Sequence, residues 1–147
     1  MSYLGDFIVL PQVEIIEVAC GILLEEDKVY LTRRKENVHL ANKWEFPGGK
    51  KEQNESITET LIRELKEEIN ITVTNFELFE QIDFIYAECR VKLFFYLIKN
   101  YQDELKPKES QIAKWVLVDD LSKLDFPKAN EKIIQKLITL SKSASSF

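Results

Sequence analysis

The sequence is poor in the residues on which several common kinds of functional site depend. Its two cysteines, Cys20 and Cys89, each lie in an apolar, strand-like run, which favours buried thiols over a disulfide or a zinc site. Its single histidine, His39, has no serine or cysteine partner nearby, which argues against a catalytic triad. Any chemistry must therefore come from other side chains.

Long apolar stretches and clusters of positive charge are also scarce. The run Phe7–Leu10 is short, lacks a basic leader and is followed by Pro11, so it fits neither a signal peptide nor a membrane span. The formal net charge of −5 disfavours extended contact with nucleic-acid phosphates. We therefore expect a cytoplasmic monomer or homodimer that forms no stable nucleic-acid complex and does not bind membranes.

Length and hydrophobic patterning indicate one α+β domain. The 147 residues have room for a single domain, with an N-terminal extension over residues 1–12 and a flexible tail over residues 141–147. Strand-like runs cover residues 13–24, 29–32, 76–86, 90–99 and 115–118, and we expect the first two to form a hairpin. Helical patterns cover residues 55–69 and the segment after Pro127, whereas residues 47–49 should form a loop.

The first predicted helix carries a cluster of acidic residues. Glu64, Glu67 and Glu68 fall within one sector of about 100° beside the apolar face, so we expect their carboxylates to converge. Like charges four residues apart repel, and carboxylates without histidine or cysteine favour Mg²⁺ or Mn²⁺ over zinc. An isolated acidic helix face is more often simply solvated, so the cluster alone does not identify a site.

The residues around this cluster fit a longer pattern. The pattern is Gly-x5-Glu-x7-Arg-Glu-hydrophobic-x-Glu-Glu-x-Gly-hydrophobic, and it is met by Gly49, Glu55, Arg63, Glu64, Leu65, Glu67, Glu68 and Ile71. This segment resembles the Nudix box. Asn70 replaces the second glycine, but asparagine tolerates positive φ, so the helix should still end there. Residues 31–34, 39–43, 45–50 and 126–131 resemble the MutT-type oxidised-guanine nucleotide hydrolases of this family.

This resemblance implies both a fold and an activity. The fold would be α+β, with a mixed β-sheet sandwiched between α-helices. The activity would be the hydrolysis of 8-oxo-dGTP to 8-oxo-dGMP and pyrophosphate with Mg²⁺, or with Mn²⁺ as a substitute, in nucleotide-pool sanitation. The implied metal ligands are the Gly48 carbonyl and the carboxylates of Glu64, Glu67, Glu68 and Glu109.

The resemblance also implies roles in catalysis. Glu64 or Glu109 would position or deprotonate the attacking water, and Glu55 would pair with Arg63 to brace the loop. Glu68 would act as a ligand whose loss abolishes turnover.

Five residues are expected to contact the substrate: Arg34, His39, Phe46, Arg90 and Asn130. Arg34 would bind the phosphate chain, although it could equally be an exposed charge after a strand. Asn130 could donate to and accept from a base edge, or make a local bond at a helix start. His39 could contact the substrate or pack a loop. MutT-type proteins carry an arginine in the turn between the long strands, and Arg90 lies one position away from it.

Two other functions fit parts of this pattern. A Nudix pyrophosphatase acting on CTP, a methylated cytosine nucleotide or another triphosphate would share the box, because the box fixes the chemistry and not the base. A catalytically silent Nudix-like module that binds a nucleotide or a damaged base would be expected to lose box carboxylates, and all of them are present here.

Overall fold

The computed structural model describes residues 2–4, 7–9, 14–35, 43–87 and 89–143. In these ranges the helices are α1 (Ile57–Ile69) and α2 (Glu131–Lys142), with 3₁₀ turns at Val118–Lys123 and Lys128–Asn130. The strands are β1 (Ser2–Leu4), β2 (Phe7–Val9), β3 (Glu14–Ile22), β4 (Leu24–Glu25), β5 (Lys28–Arg34), β6 (Trp44–Glu45), β7 (Gly48–Lys50), β8 (Thr72–Ile85), β9 (Cys89–Gln102) and β10 (Gln111–Leu117). Within the described part of the chain, none of the helices has the length and apolar character needed to span a membrane.

Two four-stranded sheets form the body of the fold. One has the order β7-β3-β9-β8, in which β3 and β9 are parallel and the other neighbours are antiparallel. The other is antiparallel, with the order β10-β5-β4 and with β6 paired to β5. Strands β1 and β2 pair with each other. The predicted mixed sheet is therefore confirmed.

The helices cover the sheets from two sides. Leu61, Leu65 and Ile69 of α1 pack in one hydrophobic cluster with Ala19 of β3. The buried residues of α2 belong to a second hydrophobic cluster, which includes Cys20 of β3. Neighbouring residues of β3 thus serve opposite cores, as strand alternation requires. Each fully buried leucine contributes roughly 1.5–3 kcal/mol. The α+β fold class, with sheet between helices, is confirmed.

The structure corrects two expectations for the strands. Leu24–Glu25 does form a hairpin with β5, but Glu14–Ile22 leaves it and pairs with β9 and β7 in the other sheet, so the expected hairpin over residues 13–32 is largely wrong. Alternating hydrophobicity predicts a strand without specifying its partner. Gly48 and Gly49, expected in a loop over residues 47–49, belong to strand β7 (Gly48–Lys50).

Smaller differences concern the termini of elements and one cysteine. The predicted helix after Pro127 is present as α2, but it begins only at Glu131, because a 3₁₀ turn over Lys128–Asn130 precedes it. The helix includes Ser141 and Lys142, which were expected in the tail, while residues 144–147 lie outside the described residues. Cys20 is buried as expected, but Cys89 is only half-buried because it opens β9 next to a turn.

Both ends of α1 are closed by specific hydrogen bonds. At the start, the Ser56 hydroxyl accepts from Glu59 N and the Glu59 carboxylate accepts from Ser56 N, which makes a capping box. At the end, Asn70 adopts the left-handed conformation with φ of 66°, and its side-chain amide donates to the Glu104 carbonyl at 2.8 Å. The departure from glycine in the Nudix-like pattern therefore leaves the helix stop intact.

Replacement of Asn70 tests this stop. Asn70→Ala is expected to lower the free energy of unfolding by about 1–2 kcal/mol, because a Cβ without a compensating side-chain bond is disfavoured at positive φ. Asn70→Gly keeps the backbone conformation and loses only the bond to Glu104, so its stability should lie between those of wild type and Asn70→Ala. Urea unfolding measures the order, and an alanine variant as stable as the glycine variant would contradict it.

Candidate active site

The strand that carries Gly48 and Gly49 runs very close to its neighbours. A Cβ on Gly48 would overlap the carbonyl oxygen of Ala19 and the Cα of Cys20 in β3. A Cβ on Gly49 would overlap the carboxylate of Glu64 on α1. Glycine at both positions thus allows β7 to fit between β3 and the acidic face of α1.

Glu68 is held at the centre of this arrangement and is only 8% exposed. Its Oε2 accepts from Gly48 N at 2.7 Å, and its Oε1 accepts from Gln111 Nε2 at 3.1 Å. Burial raises the pKa of Glu68, while these two donors and the charge of Lys108 act against that rise. Glu68 is buried because Gly48 of β7 and Gln111 of β10 lie against its carboxylate.

Arg63 links the other carboxylates of the loop and helix. It donates two hydrogen bonds to Glu55, from Nε to Oε2 at 3.1 Å and from Nη2 to Oε1 at 2.7 Å, so the predicted pairing is present. Its Nη1 also donates to Glu64 at 2.8 Å and to Glu67 at 3.3 Å, and its Nη2 donates to the Lys50 carbonyl at 3.0 Å. Bonds to Glu55 and Glu64 raise the pKa of Arg63, and the Arg63 bond is the main cause that lowers the pKa of Glu55 to about 2.

The expected convergence of the three helix carboxylates is not observed. Arg63 holds Glu64 and Glu67, whereas Glu68 points to Gly48 and Gln111. Among the described residues, no three Asp, Glu, His or Cys side chains stand close enough to hold a metal ion. Helical spacing predicted a shared face, but it could not predict that Arg63 would draw two of the carboxylates toward itself.

The donor set nevertheless suits a hard divalent cation. It consists of carboxylate oxygens, and the hydrogen-bond donors to Glu68 are uncharged. The negative charges of Glu45, Glu68 and Glu64 add to burial in raising the pKa of the Cys20 thiol far above its ordinary value. This part of the site is therefore negatively charged and would favour a bound cation.

A cleft of about 290 Å³ opens beside β7. Gly48, Gly49 and Lys50 line one part of it, and Pro127, Ala129 and Asn130 line another, with Phe46, Arg34, Glu45, Tyr86 and Val91 among the other lining residues. The Phe46 ring stacks on Phe126 with centroids 5.8 Å apart, which fixes its orientation in the cleft wall.

Asn130 is 9% exposed and lies at the start of α2. Its Nδ2 donates weakly to the Pro127 carbonyl at 3.4 Å, and its side chain makes no capping bond to the helix. No hydrogen bond to its amide oxygen occurs within the described ranges. The side chain can therefore offer that oxygen to a ligand in the cleft.

The remaining predicted site residues are Arg90 and His39, expected to contact the substrate, and Glu109, expected as a metal ligand and possible base. Arg90 donates to Asp83 at 2.6 Å, and its neighbour Val91 lines the cleft, so the alternation of β9 turns Arg90 to the opposite face. Glu109 is exposed in the turn before β10. His39 lies outside the described residues.

Two residues of the site were missed by the sequence analysis. Gln111 had no signal, because it stands at the boundary between a polar loop and a strand. Glu45 entered the sequence analysis only within the segment 45–50. Its position between the aromatic residues Trp44 and Phe46 could have indicated a buried carboxylate at the site. Burial raises the pKa of Glu45, and the charge of Arg34 reduces that effect.

Comparison with known proteins identifies the family. The model of the NUDIX domain matches residues 18–136. The chain belongs to the Nudix family of hydrolases. Nudix hydrolases in general use divalent metal ions, which agrees with the acidic character of the site.

Individual Nudix proteins are similar over most of the chain. An 8-oxo-dGTP diphosphatase of Escherichia coli K12 is 39% identical over 123 residues, which are 83% of this chain and 95% of that protein. A CTP pyrophosphohydrolase of the same strain is 26% identical over 127 residues, covering 86% and 94%. A solved structure from work on MutT of Aliivibrio salmonicida and Vibrio cholerae has a TM-score of 0.74 at 31% identity, covering 86% and 98%.

The Nudix-box pair of Glu55 and Arg63 should make stability depend on acid pH. Because folding lowers the pKa of Glu55 from 4.5 to about 2, its contribution is present above pH 4.5 and is lost as pH falls toward 2. Glu55→Gln should therefore be less stable than wild type at neutral pH and should lose less stability across this window.

Urea unfolding at several pH values across this window measures the effect. The matched control is Glu77→Gln, which removes an exposed partner of Lys99. Parallel pH profiles for wild type and Glu55→Gln would show that the pair does not carry the acid dependence.

Proposed function

We propose that this Nudix hydrolase cleaves 8-oxo-dGTP to 8-oxo-dGMP and pyrophosphate. The observation that carries the proposal is that one cleft combines two kinds of lining. Asn130 and Phe46 form part of its wall, and Gly48 and Gly49, which lie next to the glutamates of the Nudix box, form another part. A base and a triphosphate could thus occupy one cleft at the same time. The 39% identity to an 8-oxo-dGTP diphosphatase supports this substrate.

The chain's own residues divide the work along the cleft. Asn130 can accept from and donate to an edge of the base, and the fixed ring of Phe46 provides an apolar surface for it. Arg34 lines the cleft and can bind the phosphate chain through its guanidinium. Glu64 or Glu109 would orient the attacking water or remove its proton. Attack of this water on phosphorus would break the bond between the α and β phosphates and yield the nucleoside monophosphate and pyrophosphate.

Mg²⁺ is the proposed cofactor, with Mn²⁺ as a substitute. The candidate ligands are the Gly48 carbonyl and the carboxylates of Glu64, Glu67, Glu68 and Glu109. When bound, Mg²⁺ would neutralise phosphate charge and lower the pKa of the attacking water. Arg63 lies next to two of these candidate ligands, Glu64 and Glu67, and contributes positive charge there.

The proposal extends to the organisation and location of the protein. We propose one Nudix domain over residues 1–147, with residues 1–12 as an extension, in a cytoplasmic monomer or homodimer. Its partner would be a nucleoside triphosphate, with no stable nucleic-acid complex. Sanitation of the nucleotide pool requires this location, because the pool is in the cytoplasm.

One observation favours a second candidate, a cytosine nucleotide. Arg90, the expected counterpart of the arginine that MutT-type proteins carry in this turn, is bound to Asp83 on the other face of β9. A CTP pyrophosphohydrolase is also among the similar proteins. The nucleotide comparison below separates the two substrates.

Glu68→Gln is expected to abolish turnover at saturating Mg²⁺. The fold should remain intact, because the new carbonyl oxygen can still accept from Gly48 N, and the Gln111 amide can turn so that its Oε1 accepts from the new NH₂ group. Pyrophosphate release measures turnover, and urea unfolding checks that stability is retained. Glu131→Gln, at the exposed start of α2, is the control. Wild-type turnover in Glu68→Gln would refute the role of Glu68.

The substrate is tested by kcat/KM for 8-oxo-dGTP, dGTP, CTP and dCTP with Mg²⁺. We expect 8-oxo-dGTP to be preferred, and Asn130→Ala to lower its preference over dGTP by about 5- to 150-fold, which corresponds to roughly 1–3 kcal/mol. The control is Asn100→Ala, which changes an exposed asparagine of β9.

Higher kcat/KM for the cytosine nucleotides would favour the second candidate. An unchanged 8-oxo-dGTP to dGTP ratio in Asn130→Ala would mean that Asn130 does not read the base.

A further inference from the structure

The loop that carries Glu109 is fastened to the last turn of α1. Lys108 N donates to the Glu68 carbonyl at 2.9 Å, and Lys106 N donates to the Ile69 carbonyl at 3.0 Å. These bonds satisfy two of the carbonyls that the end of a helix leaves unpaired. The loop backbone is therefore held against the same helical turn from which the Glu68 side chain projects.

Gln111 ends this loop and begins β10. Its backbone N donates to the Lys108 carbonyl at 3.0 Å, and its side chain reaches Glu68, 43 residues earlier in the sequence, through Nε2. The residue is only 5% exposed. Its amide oxygen, Oε1, is buried and has no hydrogen-bond partner in the described structure.

The kind of bond that Gln111 makes is unusual within this site. Glu55, Glu64 and Glu67 are all held by the positively charged Arg63, which compensates their charge. Glu68 is oriented by the neutral donors of Gly48 and Gln111 instead. An amide donor fixes the direction of a carboxylate and leaves its negative charge available to a cation.

The unpaired oxygen points to the same role. A buried amide oxygen without a partner is unfavourable, and such groups in native proteins are commonly satisfied by a ligand or by ordered water. A hydrated divalent cation provides water donors at this kind of position. A purely structural glutamine would be expected to use both ends of its amide within the protein.

We propose that Gln111 is a positioning residue for the metal site. It orients the Glu68 carboxylate without neutralising it, and its Oε1 accepts a hydrogen bond from the hydration shell of the bound cation. This inference rests on the proposed function, because it requires a cation at Glu68.

Mn²⁺ binding tests the inference without reference to turnover. The dissociation constant is measured by the electron paramagnetic resonance signal of free Mn²⁺, on full-length protein without nucleotide. Gln111→Met keeps the length of the side chain and removes both polar ends, and we expect it to weaken Mn²⁺ binding by about 10- to 100-fold. Gln135→Met makes the same change at an exposed position of α2 and should bind Mn²⁺ like wild type.

A second variant, Gln111→Asn, provides the same test if Gln111→Met does not fold. Gln111→Asn keeps the amide but is one methylene shorter, so it withdraws from Glu68 and should also weaken binding. Circular dichroism identifies the variants that are folded before each titration. Weaker binding in a folded Gln111 variant supports the proposal, because loss of stability alone would not change the affinity of the folded protein.

Results that contradict the role of Gln111 can be distinguished from results that contradict the proposed function. Wild-type Mn²⁺ affinity in folded Gln111→Met or Gln111→Asn would overturn the role of Gln111 and leave the metal site in place. A wild-type protein that binds no Mn²⁺ and turns over no nucleotide would overturn both.

Discussion

The site depends on the close approach of β7 to the backbone of β3 at Gly48 and to the Glu64 side chain at Gly49. Without side chains there, β7 can lie against β3 and under the carboxylate of Glu64. This approach allows the Gly48 N–H to donate to Glu68, so β7 and α1 meet beside the cleft that Gly48 lines. Any residue with a Cβ would separate them, because the overlap at Gly48 is with backbone atoms that cannot move aside.

The second constraint is electrostatic. Carboxylates from the loop, the helix and β6 are brought close together, and Arg63 compensates mainly those at the loop and the exposed side of the helix. The buried side, with Glu68 and Glu45, has raised carboxyl pKa values. Arg63 thus compensates the charge of one group of carboxylates, whereas burial has the larger effect on the other, and the acidic character of the whole site agrees with the divalent-metal chemistry of the Nudix family.

Local features of the fold could be predicted from the sequence, whereas long-range partners could not. The apolar face of α1 and the left-handed conformation of Asn70 follow from spacing and residue type, and both are present. The strand partners of Glu14–Ile22 depend on residues far along the chain, which alternation does not encode. The same limit applies to the site. The pairing of Glu55 with Arg63 came from a local motif, whereas Gln111 and the turning of Arg90 toward Asp83 depend on tertiary packing.

The parallel pairing of β3 with β9 has a consequence for folding. It joins Glu14 to Cys89 and Ile22 to Leu97, so a large part of the chain must form a closed loop before these strands can pair. Such non-local contacts slow folding, and the cleft cannot be complete until β9 and the segment before α2, which both line it, are available. During synthesis, β3, β7 and α1 leave the ribosome well before β9 and β10. The acidic helix would therefore remain exposed to solvent and ions until the last third of the chain joins the sheets.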